Sequence, residues 1–358
     1  MKVALFMNDF NNGGAERLVR DLAIGFDSKP NVEPIVIVGS RAGELREEFE
    51  SKSIPIYSLD TDISAGSIPK AIWKLTRLLS KLKVDILHSH IAFSHLVSRI
   101  VCGYLGITHV ATYHNVKHHK PAFKRCAEYA TEPLSSHIIC VSNGVKNSFQ
   151  RDNNMSVIYN GIKVSKFTQE LQSSNVTPDL VGFEEHNRTV LNVARCVEQK
   201  RQQDLIKAVE IANSDDFHLV IVGDGPKRQS LEKEVQSRGL SDKITVTGYV
   251  DSIIPYYKNS DIFVSASSNE GLPTTHLEAM AAELPIISTD IPGVREVVNQ
   301  GQNGYLCSVN SPHDLAERIE LLETDEIEQL GSTGREFVSE RFSMETIVDE
   351  HVKLYSSL

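Results

Sequence analysis

The chain has 358 residues, of which 41% are hydrophobic and 23% are charged, and its formal net charge at pH 7 is −10. At ~150 residues per domain, this length predicts two domains, each large enough to bury its own core. No apolar run reaches the ~18 residues of a membrane-spanning helix, and residues 1–10 are too short and too acidic at their end for a signal peptide. We therefore expect a cytoplasmic protein.

The charge is distributed unevenly. Residues 1–165 carry 20 Lys or Arg and 15 Asp or Glu, whereas residues 166–358 carry 17 and 32. Residues 70–125 contain ten basic residues and one acidic residue, a bias suited to an anionic surface. The five cysteines show no CxxC spacing, so neither a zinc knuckle nor a disulfide framework is indicated.

Strand and helix patterns alternate along the first half of the chain. The predicted strands lie at 3–7, 34–39, 54–59, 85–90, 109–114, 137–141 and 157–160. The predicted helices lie near 15–26, 69–82, 93–104, 121–133 and 143–151. This alternation is typical of a doubly wound parallel sheet.

Alternation restarts after the polar segment 169–187, which is predicted to be a linker without a core of its own. The second set of predicted strands lies at 189–194, 218–222, 243–250, 262–266 and 286–289. The sequence thus predicts an α/β protein with two Rossmann-like domains. Their predicted extents are 1–168 and 188–342, with the linker at 169–187 and a terminal helix within 343–358.

Residues at the carboxyl ends of the strands are the candidates for ligand binding, because open parallel sheets bind ligands there. Gly13 and Gly14 follow the first strand and open a helix, which lets backbone approach a phosphate or a sugar closely. His114 ends the strand at 109–114. None of these is specific by itself, since a tight turn or a structural histidine gives the same pattern.

Arg195 and Lys200 bracket the loop after the strand at 189–194. A departing nucleotide diphosphate develops negative charge, which either a metal ion or fixed cations must neutralise. The guanidinium of Arg195 can grip two phosphate oxygens at once, and the ammonium of Lys200 adds a point charge. The sequence therefore offers cations at this strand end.

Glu270 and Glu278 bracket a predicted helix start at Pro273. Pro273 suits a first helical position because of its fixed φ, which places Glu270 on the loop and Glu278 inside the helix. Unpaired amides at a helix N-terminus attract a phosphate, and each carboxylate can accept two hydrogen bonds from a vicinal diol. This arrangement is suited to a sugar nucleotide.

These motifs resemble the retaining glycosyltransferases of the GT-B fold, specifically family 4. The resemblance rests on the EG-x-P-x-x-x-LEAMA run around Glu270 and Glu278, the later pieces at 293–296 and 304–306, the GGAER loop, and a variant of VGRL-x-x-x-KG around Arg195 and Lys200. It implies two Rossmann-like domains facing a cleft, with the terminal helix crossing back onto the first domain. Ala194 and Arg201 stand where the family has glycine, which leaves the direction of Lys200 open and offers Arg201 as a substitute cation.

The resemblance also implies a role for each candidate residue. Glu278 would bind the ribose, Arg195 and Lys200 the diphosphate, and Glu270 and His114 the hexose. The remaining contacts to the donor would come from Gly13, Gly14, Tyr249, Gly271, Leu272, Pro273 and Thr274, with Tyr249 meeting the nucleobase mostly through backbone. No residue stands out as a covalent nucleophile, and the family likeness implies front-face departure and attack.

The sequence therefore predicts a retaining, metal-independent glycosyltransferase that needs no cofactor and binds no nucleic acid. It would move a hexose from a nucleotide diphosphate sugar, with a UDP-sugar as the expected donor, to a hydroxyl of a lipid-linked or growing glycan. The alternatives are a sugar nucleotide epimerase of similar fold, a non-catalytic glycan-binding subunit, and a nicotinamide oxidoreductase, whose GxGxxG motif is absent. Asp60-Thr61-Asp62 spells a metal-binding DxD, and we interpret it as a solvated turn.

The predicted helix at 69–83 carries one basic face. Its apolar residues share one arc, and the opposite arc holds Lys70, Lys74, Arg77 and Lys81, with Trp73 beside Arg77. A large ring beside basic residues is suited to the headgroup layer of an anionic membrane. We expect peripheral membrane binding through this face; the alternative is a solvated basic face with Trp73 tucked under a neighbouring loop.

Overall fold

The computed structural model describes residues 1–11, 13–51, 53–64, 66–115, 130–149, 154–178 and 188–358. The chain divides into two compact units. Unit 1 comprises Met1–Gly161 together with Met344–Leu358, and unit 2 comprises Ile162–Ser343.

Unit 1 is built on a seven-stranded parallel sheet with the order β3-β2-β1-β4-β5-β6-β7. Its strands are β1 (Lys2–Met7), β2 (Glu33–Val38), β3 (Ile56–Ser58), β4 (Ile86–His90), β5 (Thr108–Tyr113), β6 (His137–Cys140) and β7 (Met155–Val157). Its described helices are α1 (Gly14–Asp27), α2 (Arg46–Glu50), α3 (Ile68–Leu82), α4 (Ala92–Leu105) and α5 (Asn143–Lys146). A 3₁₀ turn at Glu132–Leu134 precedes β6.

The sheet of unit 1 is covered on both faces, as its apolar strands require. Alternate residues of β1 enter two different cores: Val3 and Leu5 pack in one, while Ala4 and Phe6 pack in the other. This alternation follows from the two-residue period of a strand. All four side chains are fully buried.

The last helix of the chain belongs to unit 1. It runs over Met344–Tyr355, and we number it α14 because eight described helices of unit 2 precede it. Its buried face joins the core that contains α1: the rings of Phe26 and Tyr355 lie 5.6 Å apart, and Val348 lies against Gly25 so closely that a β-carbon on Gly25 would clash with it.

Unit 2 repeats the architecture with a six-stranded parallel sheet in the order β10-β9-β8-β11-β12-β13. The strands are β8 (Arg188–Val193), β9 (Phe217–Val222), β10 (Ile244–Gly248), β11 (Ile262–Ser265), β12 (Ile286–Thr289) and β13 (Gly304–Cys307). The helices are α6 (Val164–Ser173), α7 (Gln202–Ala212), α8 (Arg228–Ser237), α9 (Ile254–Lys258), α10 (Thr274–Ala281), α11 (Pro292–Arg295), α12 (Pro312–Leu321) and α13 (Thr324–Arg341).

Two doubly wound parallel sheets confirm the predicted fold class, and several boundaries differ from the prediction. The segment predicted as a linker begins inside α6, where Thr168 and Leu171 are buried, because the amphipathic pattern of that helix continues to Ser173. The division between units falls after Gly161 rather than after residue 168. β13 was not predicted, since its four residues begin with a glycine and alternate only weakly.

Other predicted elements are shifted or lie partly outside the described residues. The last predicted strand of the first domain, 157–160, occurs two residues earlier at Met155–Val157. Most of the helix predicted at 121–133 lies outside the described residues. Among the helices that the structure does describe, none combines the length and the apolar character needed to span a membrane.

Candidate functional site

The sheet of unit 2 reverses its strand order between β8 and β11, and ligands of open parallel sheets bind beside such a reversal. Arg195 lies two residues after the end of β8. Its side chain is exposed and makes no ion pair or hydrogen bond with any residue that the structure describes. The guanidinium is therefore available to a ligand at this edge of the sheet.

Lys200 and Glu270 form an ion pair at the same edge. Nζ of Lys200 lies 2.5 Å from Oε1 of Glu270, and their side chains are only 22% and 11% exposed. The pair brings together the loop after β8 and the loop after β11, which are 70 residues apart in sequence. A cation predicted to bind the diphosphate and a carboxylate predicted to bind the sugar are thus direct neighbours.

Backbone contacts hold these two loops in register. The amide of Ser268 donates to the carbonyl of Gln199 at 2.9 Å, and the side-chain amide of Gln199 donates to the carbonyl of Asn269 at 2.5 Å. Helix α11 packs against the backbone of the loop after β11. A β-carbon on Gly293 of α11 would lie 2.4–2.5 Å from the carbonyl oxygens of Gly271 and Glu270. A glycine is required there, since no side chain fits against that backbone.

Helix α10 begins directly after this loop. The sequence predicted Pro273 as the first helical residue; the helix instead starts at Thr274, and Pro273 is its N-cap with φ −78° and ψ 105°. Among the residues that the structure describes, no side chain caps the helix, which leaves its first amides to be satisfied by water or by a ligand. Gly271, Leu272 and Pro273 are buried, and Thr274 is half-buried.

Glu278 lies inside α10 and is held by a tyrosine that the sequence did not indicate. The hydroxyl of Tyr257 donates to Oε2 of Glu278 at 3.0 Å. Tyr257 is fully buried in α9, where its ring stacks on Phe263 with 6.1 Å between the centroids. No sequence signal connects two residues that are 21 positions apart on different helices.

In unit 1, the glycine loop opens α1 as predicted. Gly13 is the N-cap of α1, and Glu16 in the first turn folds back so far that a β-carbon on Gly13 would meet its carboxylate at 2.3 Å. Burial raises the pKa of the Glu16 carboxyl. Gly14 has open space around it, so the loop can present backbone to a ligand.

His114 follows directly after β5 and is half-buried. Its ring stacks on His90, the last residue of the neighbouring strand β4, with 5.5 Å between centroids and a 28° interplanar angle. Nδ1 of His90 lies 3.3 Å from Nε2 of His114. His90 and His88, the last and third-last residues of β4, are fully buried beside it.

Comparison with known proteins agrees with this geometry. Residues 12–166 match the family model described as Glycosyltransferase Family 4, and residues 178–337 match the model described as Glycosyl transferases group 1. An uncharacterised glycosyltransferase of Methanocaldococcus jannaschii is 32% identical over 286 residues, which cover 77% of this chain and 76% of that protein. The chain belongs to the family 4 glycosyltransferases.

Two further relatives extend the comparison. A UDP-Gal:alpha-D-GlcNAc-diphosphoundecaprenol alpha-1,3-galactosyltransferase of Escherichia coli is 25% identical, with 92% of this chain and 91% of that protein covered. The crystal structure of Anabaena HepE in complex with UDP superposes with a TM-score of 0.84 at 21% identity and covers the whole of both chains. That likeness shows that this glycosyltransferase has the GT-B fold.

The glycosyltransferase departs from the family motif at Arg201, and the structure shows what the departure costs. Arg201 takes the left-handed conformation with φ 50°, where the family has glycine, and a residue with a side chain is disfavoured there by ~1 kcal/mol or more. Its guanidinium is 2.7 Å from the buried carboxylate of Asp204. The guanidinium of Arg201 therefore pairs with a residue of the helix that it precedes. The prediction that Arg201 could substitute for Lys200 finds no support.

The remaining candidates lie at strand ends or in turns. Tyr249 follows β10 and is 62% exposed, and Gly248 before it has φ 75° with the guanidinium of Arg228 packed against it. Asp60 and Asp62 are exposed in the turn after β3, where Asp60 bonds with Ser58. No group of three or more potential metal ligands occurs among the described residues.

Proposed function

We propose that the enzyme transfers a hexose from a UDP-sugar, with retention and without a metal ion, to a hydroxyl of a lipid-linked or growing glycan. One observation carries this proposal: Lys200 pairs with Glu270 on the loop before the uncapped start of α10, and Arg195 follows β8, the strand on one side of the strand reversal of unit 2. The Escherichia coli relative, named for a UDP-sugar and a lipid-linked acceptor, and the UDP in the Anabaena structure support the choice of donor and acceptor.

Two cations and a helix start are suited to a diphosphate. Arg195 can form two parallel hydrogen bonds with phosphate oxygens, and Lys200 adds a point charge. The uncapped amides around Gly271 to Thr274 supply further donors, and the helix dipole favours an anion there. Together they would stabilise the charge that develops as the nucleotide diphosphate departs, which is the task otherwise given to a metal ion.

The two carboxylates take different parts of the donor. Glu278 lies in α10 beyond the helix start and is oriented by the hydroxyl of Tyr257, which suits a fixed acceptor for the ribose diol. Glu270 lies on the loop before α10, and we assign it to the hexose together with His114. Backbone at Tyr249 would meet the nucleobase, and backbone at Gly13 and Gly14 the donor.

Retention follows a front-face course in this proposal. The bond between the anomeric carbon and the phosphate oxygen breaks, and the acceptor oxygen forms its bond to the same face of that carbon. The acceptor proton passes to the departing phosphate. No enzyme carboxylate forms a covalent bond to the sugar, and Glu270 is held by Lys200 in the described site.

The division of roles between the carboxylates can be tested by calorimetry with UDP. Glu278→Gln should weaken UDP binding, because an amide replaces one of the two acceptors of the ribose diol by a donor. Glu270→Gln should leave UDP binding unchanged or slightly tighter, since Lys200 loses the carboxylate that competes with the diphosphate. Transfer from a UDP-sugar should fall in both variants.

GDP, ADP and TDP serve as comparison ligands in the same experiment, and Glu336→Gln on the exposed face of α13 serves as the matched carboxylate control. Equal loss of UDP affinity in the Glu270 and Glu278 variants would show that the roles are divided wrongly. Failure of every nucleotide diphosphate to bind the wild type would remove the proposed donor class.

We further propose that unit 1 binds an anionic membrane through the basic face of α3. Trp73 is 56% exposed, and the guanidinium of Arg77 lies 5.0 Å from its ring centroid, so no described loop covers the ring. Lys74 differs from the other basic residues of α3 in having a hydrogen-bond partner among the described residues. Its ammonium donates to the carbonyl of Leu59, in the turn after β3, at 2.5 Å. On the adjacent helix α4, Tyr104 is 79% exposed and adds a second aromatic suited to the headgroup layer.

Sedimentation with phosphatidylserine-containing vesicles tests this surface. A Lys70→Glu, Arg77→Glu, Lys81→Glu variant should remain in the supernatant, because each basic residue near an anionic bilayer contributes about 1 kcal/mol. The control variant changes Lys166, Lys233 and Lys353 to Glu and alters the net charge equally. Equal sedimentation of the wild type and the α3 variant would refute membrane binding and leave the transferase proposal intact.

A further inference from the structure

Three polar residues of β4 and β5, together with His114 directly after β5, line one face of the sheet in unit 1. His88 and His90 lie two positions apart on β4, and Thr112 and His114 lie two positions apart at the end of β5, so each pair points to the same side. The strands are paired with His90 opposite Thr112. The face is therefore continuous, and it ends at His114.

Both ring nitrogens of His88, the residue of this face farther from His114, have hydrogen-bond partners. Nδ1 of His88 lies 2.5 Å from the hydroxyl of Tyr355, and Nε2 of His88 lies 2.6 Å from Oγ1 of Thr112. The rings of His88 and His90 lie 4.2 Å apart. The ring of His88 is thus fixed by hydrogen bonds at both nitrogens, and it packs against the ring of His90.

His90 differs, because only one of its nitrogens has a partner. Its Nδ1 lies 3.3 Å from Nε2 of His114, whereas its buried Nε2 has no hydrogen-bond partner among the described residues. A hydrogen bond between two imidazole nitrogens needs one donor and one acceptor. If Nε2 of His114 donated, neutral His90 would carry its proton on Nε2, as a buried donor without an acceptor.

An unpaired buried N–H group is rarer in proteins than an under-satisfied acceptor. The arrangement that avoids it places the proton of His90 on Nδ1, which donates to Nε2 of His114. Burial of His90 lowers the pKa of its imidazole well below the usual value, so the ring is neutral. His114 then accepts at Nε2, and its own proton lies on Nδ1.

The backbone next to His90 is strained. Ile91 has φ 79° and ψ 144°, a conformation that a β-branched residue rarely adopts. Such strain costs on the order of 1–3 kcal/mol and persists only where the surroundings enforce it. Here it occurs where the chain leaves β4 for α4, directly after His90.

We propose that His90 is a positioning residue for His114: it donates from Nδ1 to Nε2 of His114 and thereby fixes the tautomer and the orientation of that ring. In this tautomer His114 can donate a hydrogen bond only from Nδ1. The inference rests on the proposed role of His114 in sugar transfer, and it adds a residue outside the family motifs to that role.

Nuclear magnetic resonance of the full chain tests the tautomer without any substrate. The protein is labelled with ¹⁵N-histidine, and long-range ¹H–¹⁵N correlations are recorded at pH 8, with His114 assigned by loss of its signals in His114→Gln. The wild type should show a protonated Nδ1 and a bare Nε2 for His114. His90→Phe keeps a stacked ring without a donor, and it should move the His114 proton towards Nε2.

Two further substitutions separate the hydrogen bond from simple packing. In His90→Asn the amide nitrogen lies near the place of Nδ1, so it should preserve the wild-type tautomer; in His90→Gln it lies near the place of Nε2 and should not. His137→Phe makes the same change at the start of β6, at the amino-terminal ends of the strands and away from His114. It should leave the tautomer of His114 unchanged. If circular dichroism shows His90→Phe to be unfolded, the Asn and Gln pair decides the question.

Kinetics with a UDP-sugar then tests the consequence for transfer. His90→Phe should lower kcat on the order of 10- to 100-fold, the size of effect expected from a misplaced contact, while the Kd of UDP stays unchanged and His90→Asn restores most of the rate. A bare Nδ1 on wild-type His114, an unchanged tautomer in His90→Phe, or a tautomer change without loss of kcat would each overturn the proposal. Failure of the wild type to bind UDP would instead overturn the proposed function, and the spectra would still decide the tautomer.

Discussion

Arg195→Ala should lower the rate of sugar transfer on the order of 10²-fold, and the wild-type rate should survive a chelator of divalent ions. The physical reason is that Arg195 is a cation without a described protein partner at the strand reversal of unit 2, where we propose that the diphosphate binds. Removing one preorganised charge stabiliser typically costs ~10² in rate. Steady-state kinetics with and without the chelator measures both effects.

The matched control for this experiment is Arg238→Ala. Arg238 follows α8, whose C-terminal end lies near the amino-terminal ends of the strands. It pairs with Glu210 and Glu234. Its removal should leave the rate near that of the wild type. Loss of activity in chelator that manganese restores would contradict the proposed metal independence and make Asp60 and Asp62 candidates for metal binding.

The second large effect concerns acid stability: unit 1 should lose on the order of 4–5 kcal/mol of unfolding free energy between pH 7 and pH 5.5. Four buried histidines of unit 1 have lowered pKa values, chiefly because burial disfavours their charged form. The pKa of His109 falls to about 3 and that of His351 to about 4, and those of His88 and His90 fall well below the usual value.

The sign follows from proton uptake. The unfolded chain binds protons at these residues as the pH falls below ~6.5, whereas the folded protein does not until the pH approaches the lowered values. Stability is therefore fully present above ~6.5 and is lost as the pH falls towards 4. Each buried histidine contributes about 1 kcal/mol to the loss between pH 7 and pH 5.5.

Urea unfolding at the two pH values measures the loss, with the fluorescence of Trp73, the single tryptophan, as the probe of unit 1. His351→Gln should reduce the pH dependence by about one quarter, since a glutamine does not titrate. His313→Gln removes an exposed histidine of unit 2 and should change nothing. An unfolding free energy for unit 1 that stays constant between pH 7 and pH 5.5 would show that the buried histidines do not govern its stability.

The fold class could be predicted from the sequence because the spacing of apolar residues along the chain indicates which faces of a strand or helix are buried. Runs such as VALFM in β1 and LVIV in β9 are apolar on both faces, which only a sheet covered on both sides accommodates. Where the local signal is weak, the prediction missed the structure: β13 is short, and α6 continues into a segment whose polar composition resembles a linker.

The candidate site was predicted in part, and the assigned roles stay predictions. Glu270, Glu278, Arg195 and Lys200 stand at the ends of elements whose order the sequence reveals. Motif resemblance could not anticipate that Arg201 would pair with Asp204, because the substitution for glycine is compensated by a contact three residues on.

The sequence by itself thus determined the two parallel-sheet domains, the strand ends that carry polar residues, and the family. Only the tertiary structure decided which of those residues meet. Lys200 reaches Glu270 because β8 and β11 are neighbours in the sheet, and His90 stacks on His114 because β4 pairs with β5. Periodicity records which face of an element is buried, whereas partners far apart in the chain depend on strand order and on packing between elements, which no local pattern contains.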